Sequence, residues 1–234
     1  MKVLTGIYND FNSLKTFYLF AGFCLFVLLL TGAFNFVLVS ETLIRNYYAQ
    51  QLGGDRIDAI LRIQRKYQFM AYLVLPLMYL FKFTCITLCI TIGTIFSNVK
   101  INFSKIFKVV IISEAIFILP LLIKLVWFSF FKTNYTLLDL QLSSPLSLLS
   151  IFDIAEVKRW FYYPLSTFNI FELLYCACLT YGMSVQLNKN FKKTLPVVLY
   201  SYGSGLTVWT IFIMFLSINF NWFTTQKSSY SFYK

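Results

Sequence analysis

Four charged side chains fall within otherwise apolar stretches: Lys82, Glu114, Lys124 and Glu172. Near the centre of a membrane each such charge costs about 2.5–3.5 kcal/mol on insertion scales, so each needs a partner or a polar path. The carboxylates could belong to an ion or proton pathway. Alternatively, opposite-charge pairs could fix helix register inside a bundle, or the lysines could snorkel. The balance of signs favours structural pairing, as does the absence of any Asn, Asp or His chain leading from either carboxylate. Depth selects the partners. A span centred near Pro120 places Lys124 ~6 Å to one side of the midplane, and a returning span centred near Cys176 places Glu172 ~6 Å to the same side. Lys124 is therefore expected to pair with Glu172, and Lys82 with Glu114.

Other chemistry is poorly represented. The chain has no histidine, which removes Ser-His, Cys-His and His-metal arrangements. There is no G-x-S-x-G elbow. Cys24, Cys85, Cys89, Cys176 and Cys178 all lie in apolar runs; Cys85 and Cys89 share a helix face but read as small packing residues, with no acid near them to complete a metal site. Asp153 and Glu156 could hold a cation and read better as a solvated face. Tyr200 to Gly205 is glycine-rich but lacks the Lys-Ser/Thr ending and the preceding strand of a phosphate loop. No catalytic residue, cofactor or metal is expected, and the chain reads as non-enzymatic.

The elements that must position these residues are membrane spans. Hydrophobic residues make up 59% of the chain and charged ones 12%, against roughly 25% charged in a soluble domain. With 27 Phe, 16 Tyr and 4 Trp, the chain is also rich in rings suited to acyl chains and headgroups. The net charge of +11 sits between apolar runs, which points to anionic headgroups as partners and away from nucleic acid. The fold class is an all-α integral membrane bundle of five transmembrane helices.

Thr16 to Ser40 carries no charge and is long enough to cross ~30 Å of hydrocarbon, longer than the hydrophobic region of a signal peptide. Later spans are expected at Phe69 to Phe96, Val109 to Phe131, Thr167 to Gln186 and Leu195 to Trp222, with kinks at Pro76 and Pro120. Between the first two, Glu41 to Lys66 has apolar stripes on either side of Gly53-Gly54 and the cations Arg56, Arg62, Arg65 and Lys66. It reads either as an interfacial amphipathic segment or as helical extensions of its neighbours. Ser144-Pro145 predicts an N-cap and first helical position for a short helix over Leu146 to Phe152. Trp160, Tyr162 and Tyr163 beside Lys158 and Arg159 form an aromatic and basic anchor. The chain thus divides into an N-terminal helix with its amphipathic segment (1–66), a four-helix core (67–222) and a short tail (223–234).

Small residues four apart, Cys178 and Gly182 in the fourth span and Ser201 and Gly205 in the fifth, predict close approach of those two helices. For orientation, Lys2, Lys15, Lys100, Lys105, Lys108, Lys189, Lys192 and Lys193 crowd the short segments of one face with Asp10 as the lone acid. By the density of positive charge this face is inside, placing the N-terminus inside and the C-terminus outside.

From Gln68 to Ile218 the layout resembles the Yip-type membrane domain family. The resemblance is carried by Asn102-Phe103-Ser104-Lys105-Ile106-Phe107-Lys108 before a proline-containing span, by Pro145 to Asp153, by Phe168-Asn169-Ile170-Phe171-Glu172, and by Phe191-Lys192-Lys193-Thr194-Leu195. It implies a protein that acts through helix packing and partner proteins. Eukaryotic members carry a long cytosolic N-terminal region that this chain does not match, so the permease-like bacterial relatives are the nearer comparison. The Phe, Tyr, Ile, Lys and Asn usage suits an AT-rich bacterium, hence an inner membrane. The leading expectation is an accessory or scaffold subunit of a membrane assembly, associated with an exporter or secretion machine and bound to other membrane subunits. A permease or channel using the buried charges and a membrane-shaping protein are the alternatives.

Overall fold

A computed structural model describes residues 14–49, 53–98, 101–152 and 159–231, without side chains at 138, 141, 142, 159 and 220–231. Among the described residues, five helices are long and apolar enough to cross a membrane: Thr16–Leu38, Gly54–Phe96, Phe103–Phe131, Ile170–Leu187 and Phe191–Asn219. The protein is an all-α membrane bundle. Its helices are α1 (Thr16–Leu38), α2 (Glu41–Ala49), α3 (Gly54–Phe96), α4 (Phe103–Glu114), α5 (Ile118–Val126), α6 (Leu137–Leu142), α7 (Arg159–Thr167), α8 (Ile170–Leu187) and α9 (Phe191–Ser231).

Chain direction alternates through the bundle. Thr16 at the start of α1 meets Ser104 at the start of α4 through a 3.0 Å hydroxyl contact. At the other end, the Tyr135 hydroxyl donates to the Leu38 carbonyl at 3.0 Å. The first span is integrated into the bundle: Leu19 is buried in the main core, and Phe20 and Phe23 meet the Phe83 ring edge-on at 6.1 and 5.4 Å. The core is completed by Ile90 of α3, Ile106, Val109 and Val110 of α4, Tyr175, Leu179 and Met183 of α8, and Val198 and Tyr202 of α9. Threonines inside the spans return their hydroxyls to their own helix, as Thr87 does to the Phe83 carbonyl at 2.7 Å and Thr180 to Cys176 at 2.7 Å. This satisfies a polar group that lipid cannot.

Glu41 to Lys66 resolves in favour of helical extension on its second half. The segment after Gly53 begins a single 43-residue helix, about 64 Å long and so about twice a hydrocarbon core. The first half, α2, folds back on that extension. Ile44, Ile57 and Leu61 bury together, Arg45 pairs with Asp58 at 2.5 Å, and Arg65 pairs with Glu41. The result is an antiparallel helical arm with Arg56, Arg62 and Lys66 exposed.

The third span is broken where proline requires it. Pro120 has no N–H to offer the Ile116 carbonyl and its ring crowds that carbonyl. The chain responds with a 3₁₀ turn over Ala115–Phe117 between α4 and α5. A π turn, Trp127–Phe131, ends the span.

The loop that follows differs from the expected N-cap at Ser144. Pro145 lies in a turn, Leu146 takes a left-handed φ of 56°, and the short helix is a 3₁₀ turn over Leu148–Ile151. The reason is a competing pairing. Residues around Ser147 run antiparallel to those around Asn169, with Leu148 N donating to Phe168 O at 3.0 Å and Ile170 N to Leu146 O at 3.2 Å. The capped helix in this loop is α6, where Thr136 and Asp139 form a reciprocal capping box. Asp153, Glu156 and Lys158 lie outside the described residues. Of the aromatic anchor, Tyr163 accepts from the Trp209 indole at 2.7 Å and so ties α7 to α9.

Candidate functional site: a charged cluster inside the bundle

The fourth span begins later than its hydropathy suggests. Thr167 ends α7, and α8 starts at Ile170 with Asn169 as N-cap, its side chain accepting from the Glu172 N–H at 2.8 Å. Glu172 therefore stands in the first turn, where a carboxylate is favoured by the exposed N–H groups of the helix end. Across from it on α9, the Tyr202 hydroxyl donates to the Glu172 carboxylate.

Glu114 ends α4 immediately before the 3₁₀ turn. The residue is 1% exposed, and the Lys82 ammonium donates to its Oε1. Lys82 also lies 4.9 Å from the centre of the Phe117 ring, so the cation rests between a carboxylate and an aromatic face. Phe117 in turn packs against Tyr175 at 5.1 Å, and Tyr175 against Tyr202 at 5.2 Å. Lys82, Glu114, Glu172, Tyr175 and Tyr202 thus form one group, within which Glu172 feels the charges of both Lys82 and Glu114.

Two polar atoms in this group have no hydrogen-bond partner among the described residues, Glu114 Oε2 and the Tyr175 hydroxyl. Tyr175 is fully buried. Burying such groups unpaired is costly, about 1–3 kcal/mol for a neutral group and more for a charge.

Lys82 and Glu114 are brought together. Lys124 and Glu172 are not: Lys124 has no ion-pair partner among the described residues, and Glu172 is taken by Tyr202. The expected pairing rested on depth in the membrane, which does not fix rotation about the helix axis. Three residues of 3₁₀ geometry advance about 20° more per residue than an α-helix, so Lys124 is turned by about 60° from its projected face.

The small residues also find a different neighbour. A methyl group added to Gly93 on α3 would collide with the Ser201 Cβ, and one added to Gly205 would come within 2.8 Å of the Cys89 sulfur. Ser201 and Gly205 of α9 therefore pack on α3. Gly182 is buried within α8 all the same. Beside this crossing lies an apolar groove of about 770 Å³, between α3 and α9 and lined by Phe96, Tyr200, Trp209 and Phe212. None of its lining residues belongs to the charged cluster.

The tyrosines were the unread part of the site. Tyr202 sits inside the stretch that reads as a small-residue face, but a buried tyrosine hydroxyl needs a partner, and that requirement is a usable signal toward a carboxylate on the adjoining helix. Among the described residues no three of Cys, Asp and Glu come together as a metal site. Comparison with protein-family models, curated proteins and solved structures finds no match to the chain.

Proposed function

We propose that this protein is a non-enzymatic accessory subunit of a larger membrane assembly, lying in a bacterial inner membrane with its N-terminus inside and serving an exporter or secretion machine. The observation that supports this most directly is the arm formed by α2 and the first part of α3. Two ion pairs and a small apolar core join α2 to α3, while Arg56, Arg62 and Lys66 are exposed. Leu43 of α2 anchors the arm on Leu38 and Phe128 at the span ends, and its exposed cationic face is suited to contact with a partner. The likeness to Yip-type proteins, which act through helix packing and partner binding, agrees with this reading.

The test is crosslinking in native membranes from probes placed at Arg62 and Lys66, followed by isolation in mild detergent. Membrane proteins should be recovered in fixed ratio to the chain and lost when Arg56, Arg62 and Lys66 are all replaced by Glu. A lone monomer from both versions would remove the proposal.

A second reading, a permease or channel, is supported by the carboxylates at membrane depth. Reconstituted protein would then move a cation across liposomes, and Glu114→Gln or Glu172→Gln would abolish the flux.

A further inference from the structure

The charged cluster does not balance. Two carboxylates, Glu114 and Glu172, share it with one ammonium, Lys82, because Lys124 stands elsewhere. The remaining titratable groups facing the pair are Tyr79 on α3, Tyr175 and Cys176 on α8, and Tyr202 on α9. All four are neutral in their ordinary protonated forms, so none supplies the missing positive charge. The imbalance coincides with an opening in the hydrogen-bond network. Glu114 Oε2 and the Tyr175 hydroxyl are both buried and unpartnered, on residues 1% and 0% exposed. A carboxylate oxygen and a phenolic oxygen are both ligands for a hard monovalent cation, and the carboxylate alone suffices for a proton.

We propose that the cluster binds one monovalent cation, a proton or an alkali ion, at Glu114 Oε2 beside Tyr175, where it neutralises the second carboxylate. The Lys82 ammonium then donates to Glu114 Oε1, and the bound cation is held by Oε2 of the same carboxylate. Tyr202 holds Glu172 by its hydroxyl, which leaves Glu114 as the acceptor. The 3₁₀ turn after Glu114 places Phe117 against both Lys82 and Tyr175. This goes beyond the accessory reading and does not depend on transport, because binding is read in detergent where neither partner nor gradient is present.

The experiment is infrared spectroscopy of the purified full chain at neutral pH, in sodium, potassium and choline chloride. A buried carboxylic-acid C=O band present in all three salts, and lost on raising the pH, identifies a proton as the occupant. A band that appears in choline and disappears in sodium or potassium identifies an alkali ion. Either result supports the proposal if the band is absent from Glu114→Gln. Should that variant fail to fold, wild-type protein carrying ¹³C-labelled glutamate must show the band shifted by the isotope, and Tyr202→Phe must leave it present. No acid band in any salt, with the same thermal midpoint in all three, would overturn it, as would a band unmoved by the glutamate label.

Discussion

The hydroxyl of Tyr202 donates to the carboxylate of Glu172 across 30 residues of sequence, joining the first turn of α8 to the first third of α9. The bond occupies the carboxylate that depth alone would assign to Lys124.

Tyr202→Phe keeps the ring against Tyr175 and deletes only the donor. Hydrogen bonds to charged groups contribute about 1.5–3 kcal/mol, and a loss of that order is expected in detergent unfolding. Lys124→Met should leave stability unchanged or raise it, because no ion pair is broken. A large loss from Lys124→Met would restore the pairing that the structure contradicts.

Lys82→Met strands a carboxylate that is almost wholly buried. Breaking a buried pair from one side costs about 3–5 kcal/mol, whereas replacing both members is far milder. The double variant Lys82→Met with Glu114→Gln should therefore be more stable than Lys82→Met alone. A double-mutant cycle on thermal or denaturant unfolding reads the coupling, and simple additivity would contradict the pair.

The α3–α9 crossing is set by Gly93 against Ser201. Gly93→Ala introduces a methyl where the Ser201 Cβ already lies, and overpacking of this kind costs about 1–3 kcal/mol. Adding Ser201→Gly should recover much of the loss. Gly22→Ala is the control, since nothing stands within 4 Å of its added Cβ. Relative folded yields and thermal midpoints of the set decide the matter.

Outside the spans, Asp139 accepts from the Thr136 backbone N–H and hydroxyl at 2.9 Å each and from Lys132 at 3.1 Å. The Thr136 backbone bond foremost, and the Thr136 hydroxyl and Lys132 with it, hold the carboxyl below the usual range, against a weaker effect of burial. A carboxyl lowered on folding contributes stability above its unfolded pKa of about 3.9 and loses it as pH falls through the folded value. The α6 cap is therefore expected to be level from neutral pH down to about pH 5 and to weaken below about pH 4. Asp139→Asn should lie lower above about pH 5, lack that step and converge with the unsubstituted protein at low pH, and Thr136→Ala should cost about 1 kcal/mol. Carboxyl NMR of Asp139 measures the titration directly.

The sequence by itself determined the architecture. Apolar runs of bilayer length have no stable place in water, and helices satisfy their own backbone in lipid, so the spans follow from composition and spacing alone, whereas the helix breaks near Pro120 and runs on through Pro76. The stop of α8 was equally local: Asn188 takes the left-handed φ of 49° that its short polar side chain tolerates and turns the chain into α9. The tertiary structure alone decided which charge meets which, and which small face meets which helix. Both depend on rotation about each helix axis, and hydropathy does not encode rotation. A three-residue change to 3₁₀ geometry before Pro120 turned Lys124 away, and a late start for α8 put Glu172 within reach of Tyr202. Among the described residues, one ammonium is thereby left to serve a buried and a half-buried carboxylate, with the amino-acid count of charges unchanged.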